Sequence, residues 1–318
     1  MESQRYYSII IPVYNRPDEV DDLLYSLAAQ TIPNFEVLVV EDGSAKPCKE
    51  VVERYAGQMD IRYFVIPNGG PSGARNYGAA HSKGDYLLIV DSDCILPETY
   101  LESIEKELER EPADAFGGPD RAHPSFTPIQ KAISYSMTSF FTTGGIRGGK
   151  KKLDKFYPRS FNMGVRRDVF MRLNGFDTSM RYGEDIDFST RLFLAGCRTR
   201  LFPEAYVYHK RRTSFGQFFR QVEHSGEARI VLWKKYPDTL KVVHCLPSLF
   251  VLFVFSICVA GVWSPVLYSL LLLYILLLFV DATSRNGGSI YIGALSVVAA
   301  FTQLFGYGLG FIRRCLNI

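Results

Sequence analysis

Charge is almost missing from one long stretch of this chain. Between Leu246 and Phe311 only Asp281 and Arg285 are ionised at neutral pH, which excludes a water-solvated tail. Segments 246–263, 265–280 and 290–312 each approach or exceed the roughly 17 to 25 residues that a bilayer-spanning helix needs, the middle one marginally. Three crossings are therefore expected. Other scarcities narrow the class further. The six cysteines form no CxxC pair and no zinc-type spacing, so reduced structural thiols are expected. The net charge of +3 gives no reason to invoke nucleic acid. Residues 1–7 are polar, and the apolar run 9–13 is too short for a secretory h-region. No internal repeat is present.

The polar part is accordingly expected to stay in the cytoplasm, anchored to the cell inner membrane as a multi-pass protein. Arg229, Lys234, Lys235 and Lys241 precede the first apolar segment, and a basic flank favours the cytoplasmic side. Three crossings would then place Arg313 and Arg314 outside, against the same rule, unless one segment is re-entrant. Gly306 and Gly310 stand four apart in the last segment, a spacing that lets helices approach closely.

The rest of the chain alternates strand and helix. Residues 7–13, 35–40 and 61–66 read as strands, and 17–29 reads as a helix with Val20, Leu23, Leu24 and Leu27 on one face. Residues 73–82 read as a second helix, leading into the apolar strand that ends at Val90. This alternation gives an α/β chain with a Rossmann-like, nucleotide-binding sheet flanked by helices. Ligands of such sheets gather beyond the carboxyl ends of the strands, and there the chain carries Asp91 and Asp93. Residues i and i+2 share a face, so both carboxylates can reach one hard cation, Mn²⁺ or Mg²⁺. Taken alone, the triplet is equally a turn or helix cap.

Five segments carry a resemblance when taken together. SIIIPVYN (8–15), VVEDGS (39–44), GPSGARNYGA (70–79), GDYLLIVDSD (84–93) and YGEDIDFSTRL (182–192) resemble, in order, the successive motifs of family 2 glycosyltransferases. The resemblance spans residues 8 to about 230. It implies a GT-A fold, a nucleotide-diphosphate sugar donor, a divalent metal and inversion at the anomeric carbon. It also implies roles for individual residues. Asp93 is the direct metal ligand, Asp91 is shared between metal and ribose, and His209 is either a third ligand or a hydrogen-bonded surface histidine. Asp42 matches the position that hydrogen-bonds the base, beside Glu41 where many relatives have aspartate. Pro12, Val13 and Tyr14 line the same crevice, Tyr14 packing on the base. Arg75 follows a glycine-rich loop whose N–H groups and guanidinium can meet the diphosphate. Asn162 and Met163 resemble the segment beneath the donor sugar. Asp185 matches the base that takes the acceptor proton, and Glu184 positions the acceptor or its loop. Asp187 and Arg191, four apart and oppositely charged, read as ordinary helix surface.

The catalytic domain is expected over 1–241, with interfacial elements near 127–155 and 212–241, and the transmembrane region over 242–318. Residues 129–141 with Phe140 and Phe141 read as an interfacial helix followed by a basic loop at Lys150, Lys151 and Lys152. Lys210, Arg211, Arg212 and the amphipathic 215–230 fit either contact with lipid headgroups or cover over a diphosphate. Three functions are compatible: a membrane-bound transferase with a lipid-linked glycan acceptor in surface polysaccharide or glycoconjugate synthesis, a processive synthase, and a non-catalytic scaffold. Gln217, Phe218, Phe219, Arg220 keeps the spacing of a QxxRW signature, but Gln221 stands in place of tryptophan, which weighs against processivity. Intact Asp42, Asp91, Asp93 and Asp185 weigh against a scaffold.

Overall fold

The computed structural model describes residues 5–143 and 156–317. The first part of the chain forms β1 (Tyr7–Val13), α1 (Pro17–Ala28), β2 (Phe35–Asp42), α2 (Lys49–Glu53), β3 (Asp60–Ile66), α3 (Pro71–Ala80) and β4 (Tyr86–Val90). Next come β5 (Cys94–Ile95), α4 (Tyr100–Arg110), β6 (Ala115–Gly117), β7 (Asp120–Arg121), α5 (Pro128–Thr138) and α6 (Phe140–Thr143). The remainder forms β8 (Asn162–Arg166), α7 (Arg167–Arg172), α8 (Glu184–Leu194), β9 (Thr199–Leu201), β10 (Val207–His209), α9 (Phe215–Lys235), α10 (Leu246–Ala260), α11 (Leu267–Arg285) and α12 (Ile290–Cys315). Among the described residues, these elements divide into two compact units, 5–121 with 156–209, and 122–143 with 210–317.

The first unit is built on a seven-stranded sheet in the order β3-β2-β1-β4-β8-β6-β9. Pairs among β3, β2, β1 and β4 are parallel, while β8 runs antiparallel to both β4 and β6. The apolar strands alternate between two cores, as a sheet buried on both faces requires. Ile9, Ile11, Val37, Val39, Leu88 and Val90 face α1 and α4 on one side. Ile10, Leu38, Leu87, Ile89, Met163 and Val165 meet Phe170, Phe188 and Leu192 on the other. A second, three-stranded sheet, β5-β10-β7, sits past the end of β4. Its register sets His209 opposite Cys94. The mixed sheet with flanking helices is the α/β arrangement expected from the alternation of strands and helices.

The second unit gathers the apolar helices with α5, α6 and α9. The stretches 122–143 and 210–241, which include the described parts of the expected interfacial elements, pack with the apolar helices, α9 lying against the glycine face of α12. A Cβ at Gly306 would come within 2.5 Å of Val222 and 3.0 Å of the Phe219 carbonyl, and one at Gly310 would strike the backbone of Glu223. The Gly306/Gly310 spacing thus serves close approach by α9. Tyr135 of α5 donates to Asp281 at 2.7 Å, and Arg285 pairs with the same carboxylate at 2.9 Å, which supplies partners for both charges of the apolar stretch. Ile129–Phe141 is helical as expected but breaks at Ser139 between α5 and α6. The basic loop 150–152 lies outside the described residues.

Three apolar segments were expected to cross, and two of the described helices meet that length. Helices α11 and α12, at 19 and 26 residues, are long and apolar enough to cross a membrane, whereas α10 has only 15. A 15-residue helix rises about 22 Å, short of a hydrocarbon core of about 30 Å. Helix α11 presents Leu270, Leu272, Leu273, Leu276, Leu277 and Val280 outward, a surface that water disfavours and lipid does not. The cysteines are all unpaired thiols, as expected.

Candidate active site

The centre of the first unit forms where β4 ends. After Val90 the chain turns through Asp91, Ser92 and Asp93, the Cys94 amide donating back to the Asp91 carbonyl at 3.1 Å. Pairing of β5 with β10 then brings His209 beside Asp93, with Nε2 3.0 Å from Oδ1. Phe161 stacks on the imidazole at 4.9 Å. On the other carboxylate oxygen, Oδ2, sits Arg16 Nη1 at 2.7 Å. Asp93 is only 5% exposed. Burial by itself would push its carboxyl up, but His209 and Arg16 override that and hold it well below the usual carboxylate range.

The residues fit a divalent cation. Adjacent ligands of an octahedral cation with bonds of about 2.1 Å lie about 3 Å apart, the separation between Asp93 Oδ1 and His209 Nε2. Asp93, Cys94 and His209 place one candidate donor atom each within 4.8 Å of one another. Cys94 is the poor member of this group. Burial, then the charges of Asp93 and Asp91, push its thiol well up, whereas a ligand must be thiolate. It donates instead to the Phe161 carbonyl at 3.6 Å. Oxygen from aspartate with one imidazole suits Mn²⁺ or Mg²⁺ better than a soft metal.

A second acidic pair opens α8, whose N-cap Gly183 adopts φ 82°, a left-handed conformation that glycine accommodates without strain. Glu184 is joined to the β4 end through Arg75, whose guanidinium reaches Asp91 Oδ1 at 2.7 Å and Glu184 Oε1 at 2.9 Å. Arg75 is 3% exposed and lies over the Phe176 ring. Both terminal nitrogens of Arg75 thus hold carboxylates in the structure, at the position where the resemblance implied contact with the diphosphate. Burial pushes the Glu184 carboxyl up and Asp185 adds to it, while Arg75 opposes. Asp185 accepts from the Ile186 amide at 2.8 Å and pairs with Arg159 Nε at 2.8 Å. Asp187, expected at the surface, is fully buried and binds Arg191, which also donates to the Leu173 carbonyl at 2.6 Å. The i,i+4 pair is present, but it staples α8 to the core.

The remaining expected residues divide between the site and its frame. Asp42 ends β2 and accepts from the amides of Gly69 and Gly70 at 2.8 and 3.0 Å, so its carboxylate organises the loop that leads to α3. Gly70 has φ 84° there. Glu41 is buried and tied to Ser44, to the Cys48 amide at 2.8 Å and to the Tyr63 hydroxyl at 3.0 Å, so it knits the loop after β2. Tyr14 is 53% exposed, whereas the Val13 side chain lies in the core. Asn162 is buried, accepts from the Tyr100 hydroxyl at 2.6 Å and donates to the Ala205 carbonyl at 2.8 Å. Its side chain pins β8 to neighbouring segments. Sequence reasoning passed over Arg16 and Arg159. Arg16 directly follows the SIIIPVYN motif, and its place at the mouth of α1 was the available signal; Arg159 lies in no motif.

A sheet of this order, ending in a carboxylate pair, defines a nucleotide-binding α/β protein of GT-A type. Residues 8–173, more than half of the chain's 318, match the family model described as Glycosyl transferase family 2, and the chain belongs to that family. It is 29% identical over 217 residues to the uncharacterized glycosyltransferase EpsJ of Bacillus subtilis, covering 65% of this chain and 62% of that one. It is 26% identical over 232 residues to glycosyltransferase AglE of Haloferax volcanii, covering 72% and 74%. An uncharacterized glycosyltransferase of Haemophilus influenzae is 33% identical over 195 residues, covering 58% of this chain. The chain spans about three-fifths of the length of the Bacillus and Haemophilus relatives, at 62% and 61%. Among solved structures, the mannosyltransferase PcManGT of Pyrobaculum calidifontis, in complex with GDP-Man and Mn²⁺, aligns with TM-score 0.67 over 99% of this chain and 88% of that one at 16% identity. TarS of S. aureus, residues 1–349 with UDP, aligns with TM-score 0.53 over 98% and 92% at 18% identity.

Proposed function

We propose that this chain is an inverting glycosyltransferase that moves a sugar from a nucleoside-diphosphate sugar, with uridine as the base, to a hydroxyl of a lipid-linked glycan at the cytoplasmic face of the inner membrane. The observation that carries this reading is the bridge through Arg75: one buried guanidinium ties Asp91, beside the candidate metal centre, to Glu184, beside the candidate base. A binding module has no use for a second acidic pair next to a cation site.

Asp93 and His209 would hold the cation, with Asp91 at its edge, and the cation would neutralise the charge that grows on a departing diphosphate. Asp42 and Tyr14 face the base, Asp42 through the loop it organises. Asp185 takes the proton of the attacking hydroxyl. The bond from the anomeric carbon to the diphosphate oxygen breaks as the bond to the acceptor oxygen forms on the opposite face, and the proton ends on the Asp185 carboxylate. Glu184 and Arg75 keep that carboxylate and Asp91 at a set spacing. Asn162 acts by fixing β8 rather than by touching the sugar. Exposed leucines on α11, the length of α12 and the basic residues before α10 support placement at a membrane in which a lipid acceptor resides.

The test is binding of a panel of UDP- and GDP-sugars to the detergent-purified protein with and without Mn²⁺, alongside turnover. Asp93→Asn is expected to abolish metal-dependent binding, and Asp185→Asn to keep binding but lose at least ~100-fold in turnover. Equal loss of binding in both variants refutes the division of roles.

A further inference from the structure

We propose that Arg16 is a resident counter-cation that makes divalent-metal binding at Asp93 depend on a nucleoside diphosphate. The inference deepens the reading above and rests on it. Its basis is how the two oxygens of Asp93 are shared. Oδ1 faces His209 at 3.0 Å, and Oδ2 faces Arg16 at 2.7 Å. The two partners differ in freedom. His209 is held in a strand and stacked on Phe161, whereas the Arg16 side chain is about one-third exposed and shares its charge with Glu19 at 3.2 Å. The backbone beneath Arg16 is pinned. Asn15, at φ 57°, donates its amide to Ser44 Oγ at 2.7 Å and accepts from the Lys46 amide at 2.9 Å. The guanidinium therefore extends, about one-third exposed, from a fixed root beside Asp93.

A divalent cation taken up at Oδ1 and the imidazole would stand beside a guanidinium that has no accessible neutral form. Repulsion between like charges in a partly desolvated site opposes that uptake. A diphosphate relieves it, because its oxygens accept from Arg16 and neutralise the metal together. Metal and nucleotide then bind cooperatively, and by linkage each tightens the other by the same factor. In this scheme Arg16 acts on the metal through Asp93 and binds the diphosphate directly by trading partners. Such coupling keeps the site from holding a bare cation, and releases the metal's grip once the diphosphate product leaves.

The measurement is calorimetric titration of Mn²⁺ into the detergent-purified full chain, alone and with saturating UDP or GDP, for the unaltered protein, Arg16→Gln, Arg16→Lys and Asp93→Asn. Arg16→Gln is expected to bind Mn²⁺ alone about tenfold more tightly than the unaltered protein, and to lose about tenfold of the nucleotide's effect on Mn²⁺ affinity. Arg16→Lys keeps the charge and is expected to stay near the unaltered protein in both. A melting temperature for each variant confirms that the fold is intact. If Arg16→Gln weakens Mn²⁺ binding in the absence of nucleotide, or leaves the coupling unchanged, Arg16 merely props the carboxylate and the proposal is overturned. If the unaltered protein binds no Mn²⁺ above the Asp93→Asn baseline with either nucleotide, the metal reading of the site falls, and this inference with it.

Discussion

Arg75 shows what a residue's neighbours do to its meaning. Its place after a glycine-rich loop suggests a phosphate contact, yet in the fold it is 3% exposed and holds Asp91 and Glu184 at 2.7 and 2.9 Å. Removing one partner of a buried ionic network leaves uncompensated charge, at a cost of about 3–5 kcal/mol. Arg75→Met is therefore expected to lower unfolding stability by that amount in denaturant titration, whereas Arg75→Lys, which can hold one carboxylate at a time, should lose less. If Arg75→Met were as stable as the unaltered protein, the bridge would be incidental. At this scale the carboxylates of the candidate site were legible in the sequence, because Asp91, Asp93, Glu184 and Asp185 sit in short motifs at element ends. Their counter-cations were not. Arg16 and Arg159 reach Asp93 and Asp185 across 77 and 26 positions of chain, and no local pattern encodes such a pairing.

Helix α12 illustrates the next scale. Glycine at 306 and 310 reads as a membrane-helix contact, and close approach is what the structure shows, but the partner is the charged, mixed helix α9. Gly310→Leu would force a side chain into the Glu223 backbone, and overpacking of this kind costs about 1–3 kcal/mol. A fall in melting temperature in detergent, larger than that of Leu309→Ala on the exposed side of the same helix, is the expected result. The turn before α10 carries a pH signal of its own. His244 is partly buried, and burial, then the nearby charges of Arg229 and Lys241, lower its pKa to about 4 from 6.5. A folded state that prefers the neutral imidazole contributes stability fully above pH 6.5, and that contribution is lost as pH falls toward 4. Between those limits the melting temperature of His244→Gln should therefore fall less steeply than that of the unaltered protein. Parallel slopes would show that His244 titrates alike in both states. Element identity was largely readable, since apolar runs and caps act locally. The 15-residue limit of α10 was not: Gly261 to Val266 carry no charge, so hydropathy runs past the point where the helix ends.

For the whole molecule, the number of crossings sets which side each end occupies. With α11 and α12 as the two crossing helices, Cys245 and Cys315 lie on the same side; a third crossing by α10 would separate them. Single-cysteine variants retaining one or the other should both react with a membrane-impermeant maleimide in inverted vesicles and neither in intact cells. Opposite labelling would restore the third crossing. Family, sheet and the acidic ends of β4 and α8 were determined by sequence alone, because periodicity sorts residues to faces and short motifs place carboxylates where strands and helices terminate. Tertiary structure alone decided which distant groups Asp42, Glu41 and Asn162 bond, that Asp187 is a core anchor, and that α5 and α9 pack with the apolar helices. Each of these depends on a partner far away in the chain, and a buried charge or a glycine face is defined by what closes over it.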